Sequence, residues 1–390
     1  MTEIRKDAVK IMQGKHVLFA TAFTVRDFMT KDFYRVETLD VQGEKGMQRI
    51  LNEARARSFS DDIRDADGHS EAFLPTSVFL ATSGKINYDD NSKELFFDTE
   101  AHAGVCPLDV VDGQHRIKGL EMAIQKNKKL LDFPVFAVIA PEMNEPMRML
   151  QFVTVNTKQQ PINESIRQAI VARFSVYIDN LSGTSEGFPY LPTWLNKQAN
   201  TRDDERAINI LKALNNEQGS PWHNKIRFAN EPPDKKKTDQ TVFIRSVKRY
   251  NLLTENHPLS AISDTDNRRS NILSNFWKAV AAICVNPSDV PGQPLESAVF
   301  KYGGVLFFHN ILSPVIVELV KKQIYTVSAM EECIRSAQNY LPPESANILT
   351  PDYWKKGGPS TKLNRSGLEI IAADFTNALR RAANENENEN

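Results

Sequence analysis

The stretch VVDGQHRIKG, residues 110–119, decides how the first half of this chain reads. Residues 108–111 (LDVV) read as a strand, Asp112-Gly113 is a turn dipeptide, and a helical pattern starts directly beyond it, with Ile117, Leu120 and Ile124 on one face. A strand that passes through a glycine into a helix leaves the first-turn amides of that helix without intrahelical partners. They sit at the positive end of its dipole, a setting that favours an anionic oxygen. Gly113 admits close approach of a ligand to the backbone. Arg116 is suited to grip a phosphate bidentately and His115 to donate a hydrogen bond or move a proton. Asp112 is suited to hold Mg²⁺ or to orient a water. A plainer reading stands beside this one: Asp112 caps the helix and Arg116 is a solvated first-turn side chain. Ligand-capable side chains at Asp112, Gln114, His115 and Arg116, all within one strand-to-helix turn, favour a site.

Working outward, HVLFATAFTV (16–25), LPTSVFLAT (74–82) and KELFFDT (93–99) are rich in β-branched and aromatic residues and read as strands. GKINYDDNSK has the composition of a hairpin connection between the last two. Met47, Ile50, Leu51 and Ala54 are spaced for a helix over residues 46–64, opened by the pair Gln48-Arg49. Arg49, Arg55 and Arg57 on or near it face either phosphate or solvent. Residues 133–140 read as a buried strand, 145–155 and 163–181 as helices, and helical patterns dominate from there on. Breaks are expected at 182–187, 228–240 and 286–294, where Pro, Gly or charge concentrates. The pattern predicts an α+β protein: a mixed α/β domain over 1–175, a mainly helical domain over 176–383, and a disordered NENENEN tail over 384–390. Trp194, Trp222, Trp277 and Trp354 are expected to anchor the helical core, and His309, in an apolar helix, to be a core residue.

Composition narrows the class. The chain has 390 residues, 48 Lys plus Arg against 49 Asp plus Glu, 41% hydrophobic and 25% charged residues. That is the balance of a globular protein with a real core, and it argues against a broadly basic nucleic-acid coat. Three cysteines, Cys106, Cys284 and Cys333, are too scattered for a disulfide framework or a zinc knuckle. The remaining histidines show no HxxxH or HxH spacing, and no Walker loop, GxSxG or catalytic-cysteine signature appears. The N-terminus lacks the apolar core of a signal peptide, and the most apolar stretch (302–320) carries His309, Asn310, Pro314 and Glu318. A cytoplasmic protein without a membrane partner is expected. The most basic stretch runs through DKKK (234–237), Arg245, Lys248 and Arg249, with Arg268-Arg269 beyond, and is a candidate for nonspecific DNA contact.

DGQHR at 112–116, with its apolar flanks, and FVTVNTKQQPINES at 152–165 resemble the DGQHR-domain family, which includes the B proteins of DNA-modification gene clusters. One branch (DndB type) accompanies DNA phosphorothioation; another (DpdB type) accompanies insertion of 7-deazaguanine derivatives, and this sequence is read as nearer the latter. The resemblance covers residues 40–175 and implies a ParB/sulfiredoxin-like fold, in which a GERR or GCHR loop holds nucleotide phosphates. It places Gly113, Gln114 and Arg116 on ATP or another nucleoside triphosphate, joined by Arg49, Asn156 and Gln159, with Asp112, His115 and Arg116 catalytic and Asp112 on Mg²⁺. Asn156 and Gln159 match the spacing of the ParB relatives' Glu-Asn-x-Gln-Arg helix start, but Val155 and Gln160 replace its Glu and Arg. Asn156 read by itself is a polar residue at a turn between two helices. Gln114 stands where sulfiredoxin carries its nucleophilic cysteine, which disfavours sulfinic acid reduction. The implied activity is triphosphate hydrolysis in support of a transglycosylase-like partner acting on DNA. The alternatives are a DNA-binding transcriptional regulator of a phosphorothioation-type cluster and a ParB-like nuclease.

Overall fold

The segment 108–111 becomes a buried strand inside an eight-stranded sheet. The computed structural model describes residues 3–68, 70–98, 107–159, 163–181, 191–262, 265–286 and 297–388. The chain divides into two compact units, one of residues 1–170 with 177–193, the other of residues 171–176 with 194–390. The architecture is α+β: a curled sheet with helices in the first unit, helices almost throughout the second.

The strands of the first unit are β1 (Glu3–Gln13), β2 (His16–Thr24), β3 (Tyr34–Arg35), β4 (Val78–Ala81), β5 (Asn87–Asp89), β6 (Glu94–Asp98), β7 (Leu108–Asp112) and β8 (Pro134–Ala140). They lie in the order β3-β7-β4-β8-β2-β1-β6-β5. Pairing is antiparallel except for β3 with β7 and β4 with β8, so the sheet is mixed. The register between β4 and β7 slips between Phe79 and Leu80, where Phe79 lies opposite Asp112. Such a bulge bends a strand just where β7 ends. The helices are α1 (Val25–Phe28), α2 (Glu53–Gly68), α3 (Gln114–Lys126), α4 (Glu145–Gln159) and α5 (Glu164–Leu181). Phe23, Phe28, Phe33 and Phe97 meet edge-on or tilted in the core, with Ile117, Leu120 and Ala123 of α3 against them.

Helix α2 starts later than the spacing of Met47, Ile50 and Leu51 predicts. Met47 and Gln48 donate their amides to the carbonyl of Glu37, and Leu39 donates to that of Gln48, so this segment pairs laterally instead of coiling. Asn52 then caps the helix, its side-chain oxygen accepting from the Arg55 amide at 3.0 Å. Gln48 and Arg49 therefore precede the helix. Strand β1 is also new relative to the sequence reading. Only Ile4 and Ala8 of it are buried, so hydrophobic alternation is faint, and its pairing with β2 and β6 supplies the order.

In the second unit the helices α6 (Thr193–Thr201), α7 (Asp203–Asn216), α8 (Gln240–Arg249), α9 (Pro258–Ile262), α10 (Asp266–Cys284), α11 (Tyr302–Lys322), α12 (Val327–Ser336), α13 (Pro351–Trp354) and α14 (Arg365–Asn388) pack with a short parallel pair of strands, β9 (Ile226–Arg227) and β10 (Thr238–Asp239). Helix α11 is long and apolar enough to cross a membrane, and most of its residues are buried inside the unit. Trp222, Trp277 and Trp354 are core anchors as expected; Trp194 is 40% exposed and is not. Its place on α6, whose buried positions are Leu195 and Ala199, turns it outward. Helix α14 runs to Asn388, through a stretch that composition reads as disordered. Each residue added to an established helix gains a hydrogen bond without a new nucleation cost, which offsets the modest propensity of Asn. Of the expected breaks, 182–187 and most of 286–294 lie outside the described residues, as does Cys106.

Candidate functional site

Residues 112–116 sit where β7 hands the chain to α3. Gly113 is the residue before the helix and has φ +108°, a backbone region open to glycine. A Cβ built on it would lie 3.1 Å from the Val78 side chain, so both conformation and space select glycine here. The first intrahelical bond runs from the Ile117 amide to the Gly113 carbonyl, leaving the amides of Gln114, His115 and Arg116 without intrahelical acceptors.

This turn forms one wall of a cavity of about 870 Å³ within the first unit. Gln48, Arg49, Arg55 and Phe59 come from the segment that enters α2 and from α2 itself. Thr76 and Ser77 precede β4, Phe79 lies on β4, and Phe136 and Val138 lie on β8. Gln151, Phe152, Val155 and Asn156 come from α4. The apolar sheet residues make one wall and the guanidiniums another.

Arg116 is not splayed into solvent. Its Nη2 donates to Asp112 Oδ2 at 2.5 Å and its Nη1 to the Ser77 carbonyl at 2.6 Å. Asp112 and Arg116, assigned separate tasks by the sequence reading, are thus an ion pair, i to i+4, with side chains 24% and 18% exposed. Arg49 and Arg55 differ: among the described residues neither has a carboxylate within ion-pair distance. Burial, followed by the adjacent charge of Arg55, pushes the Arg49 guanidinium below its ordinary value. Arg57 lines a separate shallow depression with Asp61 and Asp62.

The Asn52 amide donates to His115 Nε2 at 3.1 Å, which places the proton of the neutral ring on Nδ1. Burial first, then the charges of Arg55 and Arg49, hold this imidazole below its usual value, against the pull of Asp112. A neutral ring with its Nε2 lone pair engaged is a hydrogen-bond donor through Nδ1 rather than a general base. Gln114 is 7% exposed, and its side-chain amide donates to the Arg49 carbonyl at 3.2 Å. Asn156 lies inside α4, not at a turn, with its amide donating to the Phe152 carbonyl at 2.8 Å. Gln159 ends α4, and its side chain is outside the described residues.

The donor set does not fit a resident Mg²⁺. Among the residues lining the cavity Asp112 is the single carboxylate, one of its oxygens is taken by Arg116, and two further guanidiniums stand nearby. Mg²⁺ held by protein wants carboxylates and water in octahedral array, or arrives already on phosphate oxygens, and only the second suits this wall. No group of three or more His, Cys, Asp or Glu suited to a metal occurs among the described residues.

Sequence reasoning missed the buried cluster behind the site. Asp109, on the opposite face of β7, is 3% exposed and accepts from Arg35 Nε at 2.5 Å, with Arg148 Nε of α4 at 3.4 Å. It fixes β3 and α4 to β7, and the strand alternation of Asp109 against Asp112 was its available signal. Ser77 left no signal, because its part is played by a backbone carbonyl. The basic stretch is largely neutralised: Lys237 pairs with Glu231, Lys248 with Asp204 and Arg249 with Glu369, and Arg269 is buried. Lys235, Lys236, Arg245 and Arg268 remain exposed.

Residues 7–172 match the family model DndB, described as DNA-sulfur modification-associated. The match takes in every residue lining the cavity, so the first unit is similar to proteins of that family. No curated protein and no solved structure matches the chain.

Proposed function

We propose that the first unit binds a nucleoside triphosphate, carrying its own Mg²⁺, and hydrolyses it in the cytoplasm on behalf of a DNA-modification system. The observation that supports this reading is the convergence of Arg49, Arg55, Arg116 and the open first turn of α3 on one nucleotide-sized cavity that holds a single carboxylate. Cavities of roughly 300–1,000 Å³ suit ligands of that size. Cationic donors and helix-terminal amides complement phosphate, and the sheet aromatics Phe79 and Phe136 complement a base. In hydrolysis a water oxygen adds to the γ-phosphorus and the β–γ bridging P–O bond breaks, giving the nucleoside diphosphate, inorganic phosphate and a proton. Asp112 is the residue that orients this water, held in place by Arg116, and His115 Nδ1–H donates to the developing charge. The consuming partner is a DNA-modifying enzyme, of transglycosylase type where the modification is a 7-deazaguanine derivative.

The test is turnover by freshly purified protein. Asp112→Asn keeps the bond to Arg116 and loses the charge, and is expected to lower the rate by about a hundredfold or more. Arg116→Ala is expected to do the same. Equilibrium binding of nucleotide is expected to persist in EDTA, since the protein supplies no metal cage. A wild-type protein that neither binds nor turns over any triphosphate ends this reading.

A second reading has its own support. The matched family description concerns DNA sulfur, the phosphorothioation branch, and Lys235, Lys236, Arg245 and Arg268 of the basic stretch stay exposed on the second unit. A regulator of that type would shift its cluster's promoter in a gel titration, with affinity falling steeply as salt rises. A nuclease has less to stand on, because two-metal cleavage requires several carboxylates where this cavity has one.

A further inference from the structure

We propose that Gln48, Gln114 and His115 are positioning residues that latch segment 48–55 to the strand–helix turn, and that the arginines so delivered, Arg49 and Arg55, form the subsite for the terminal phosphates of a polyphosphate ligand. The proposal rests on the nucleotide reading above and changes which residues carry it.

Four hydrogen bonds define the latch. Gln48 Nε2 donates to the carbonyls of Val110 and Val111, each at 2.7 Å, at the end of β7. Gln114 Nε2 donates to the Arg49 carbonyl at 3.2 Å. The Asn52 amide donates to His115 Nε2 at 3.1 Å, and Asn52 in turn caps the helix whose first turn bears Arg55. Two of the motif's ligand-capable side chains therefore hold a neighbouring segment. Gln48 and Gln114 are buried where they do so, and a buried amide is costly to leave unmatched, so these bonds fix the segment's place.

The latched segment brings two like charges to one wall. Arg116 is already engaged by Asp112 and by the Ser77 carbonyl, whereas Arg49 and Arg55 have no carboxylate partner among the described residues. Holding two guanidiniums close together without a counter-charge is unfavourable, and an anion of high charge density removes the cost. The terminal phosphates of a triphosphate carry more charge than a monoester, and a pair of forked donors matches their oxygens. This divides the cavity's work: the free first-turn amides of α3 hold the proximal phosphate, and Arg49 with Arg55 holds the terminal phosphates beside the Asp112–Arg116 pair.

The experiment measures equilibrium binding of ATP, ADP, AMP and inorganic tripolyphosphate to the full chain. Wild-type protein is expected to rank ATP above ADP above AMP. Arg55→Ala, at an exposed side chain that folding does not need, is expected to weaken ATP by about tenfold or more, the worth of one charged hydrogen bond, and to leave AMP unchanged. Arg55→Lys should recover part of the loss. His115→Ala keeps both arginines yet should lower the ATP-to-AMP preference. His115→Gln, whose side-chain oxygen can still accept from the Asn52 amide, should restore it. Arg55→Ala that binds ATP like wild type, or loses ATP and AMP in equal proportion, overturns the subsite. His115→Ala and His115→Gln behaving alike overturns the latch. Tripolyphosphate binding that depends on Arg55, in a protein that ignores every nucleotide, keeps the subsite and defeats the nucleotide reading. Binding of neither defeats both.

Discussion

Gly113 shows how much one position decides. Its φ of +108° and the 3.1 Å approach to Val78 mean that any side chain there strains the backbone and presses on β4. Gly113→Ala is expected to cost about 1–3 kcal/mol of stability and to weaken nucleotide binding, read by denaturant unfolding and by titration. An unchanged midpoint would show that the turn relaxes freely. At Asp112 and Arg116 the sequence displayed the right chemistry and hid the pairing, because an i, i+4 carboxylate–guanidinium pair looks the same in sequence whether it closes on itself or opens to a ligand. For Gln114 and His115 the partner is a backbone group more than sixty positions upstream. Side-chain spacing carries no trace of such a bond.

At the level of elements, the motif works because α2 and α3 cross closely. A Cβ on Gly119 would lie 2.5 Å from the Phe59 ring and 2.8 Å from the Ala56 carbonyl, so the glycine lets the two helices approach. Gly119→Ala gains helix propensity of about 1 kcal/mol and loses to overpacking of typically 1–3 kcal/mol, so a net fall in melting temperature is expected. A rise would mean that Phe59 rotates away at no cost. The strand β7 and helix α3 were legible, since a hydrophobic run broken only by Asp109 and a three-four spacing are signals that tertiary context reinforced. The stretch 46–52 was not. Its apolar spacing suits a helix, but lateral bonds to Glu37 and Leu39 outcompete one isolated turn. Strand β1 escaped for the opposite reason: its order comes from neighbours on both edges, and its own sequence carries little alternation.

Across the whole molecule, the charge balance and apolar content agree with the two packed units, and titration of the second unit gives the pH prediction. His257 and His309 are buried neutral; burial pushes the first down to about 4 and, with the charge of His257, the second down to about 3. The unfolded chain protonates these rings near 6.5, so their neutral burial costs nothing above that pH and increasingly more below it. Stability is therefore expected to fall from about pH 6.5 down to about 4 for His257 and about 3 for His309, by about 1.4 kcal/mol per unit of separation for each ring. Urea unfolding followed by tryptophan fluorescence reads this, because Trp277 lies against His309. His309→Gln should flatten the acid limb, and an unaltered limb would assign the loss to other groups. The sequence by itself determined the α+β class, the strand–glycine–helix turn and the residue types gathered at 112–116, since each follows from local pattern and backbone sterics. Only the tertiary structure decided which guanidiniums are already neutralised and which stand open, because ion pairing depends on distances between segments that no local spacing encodes.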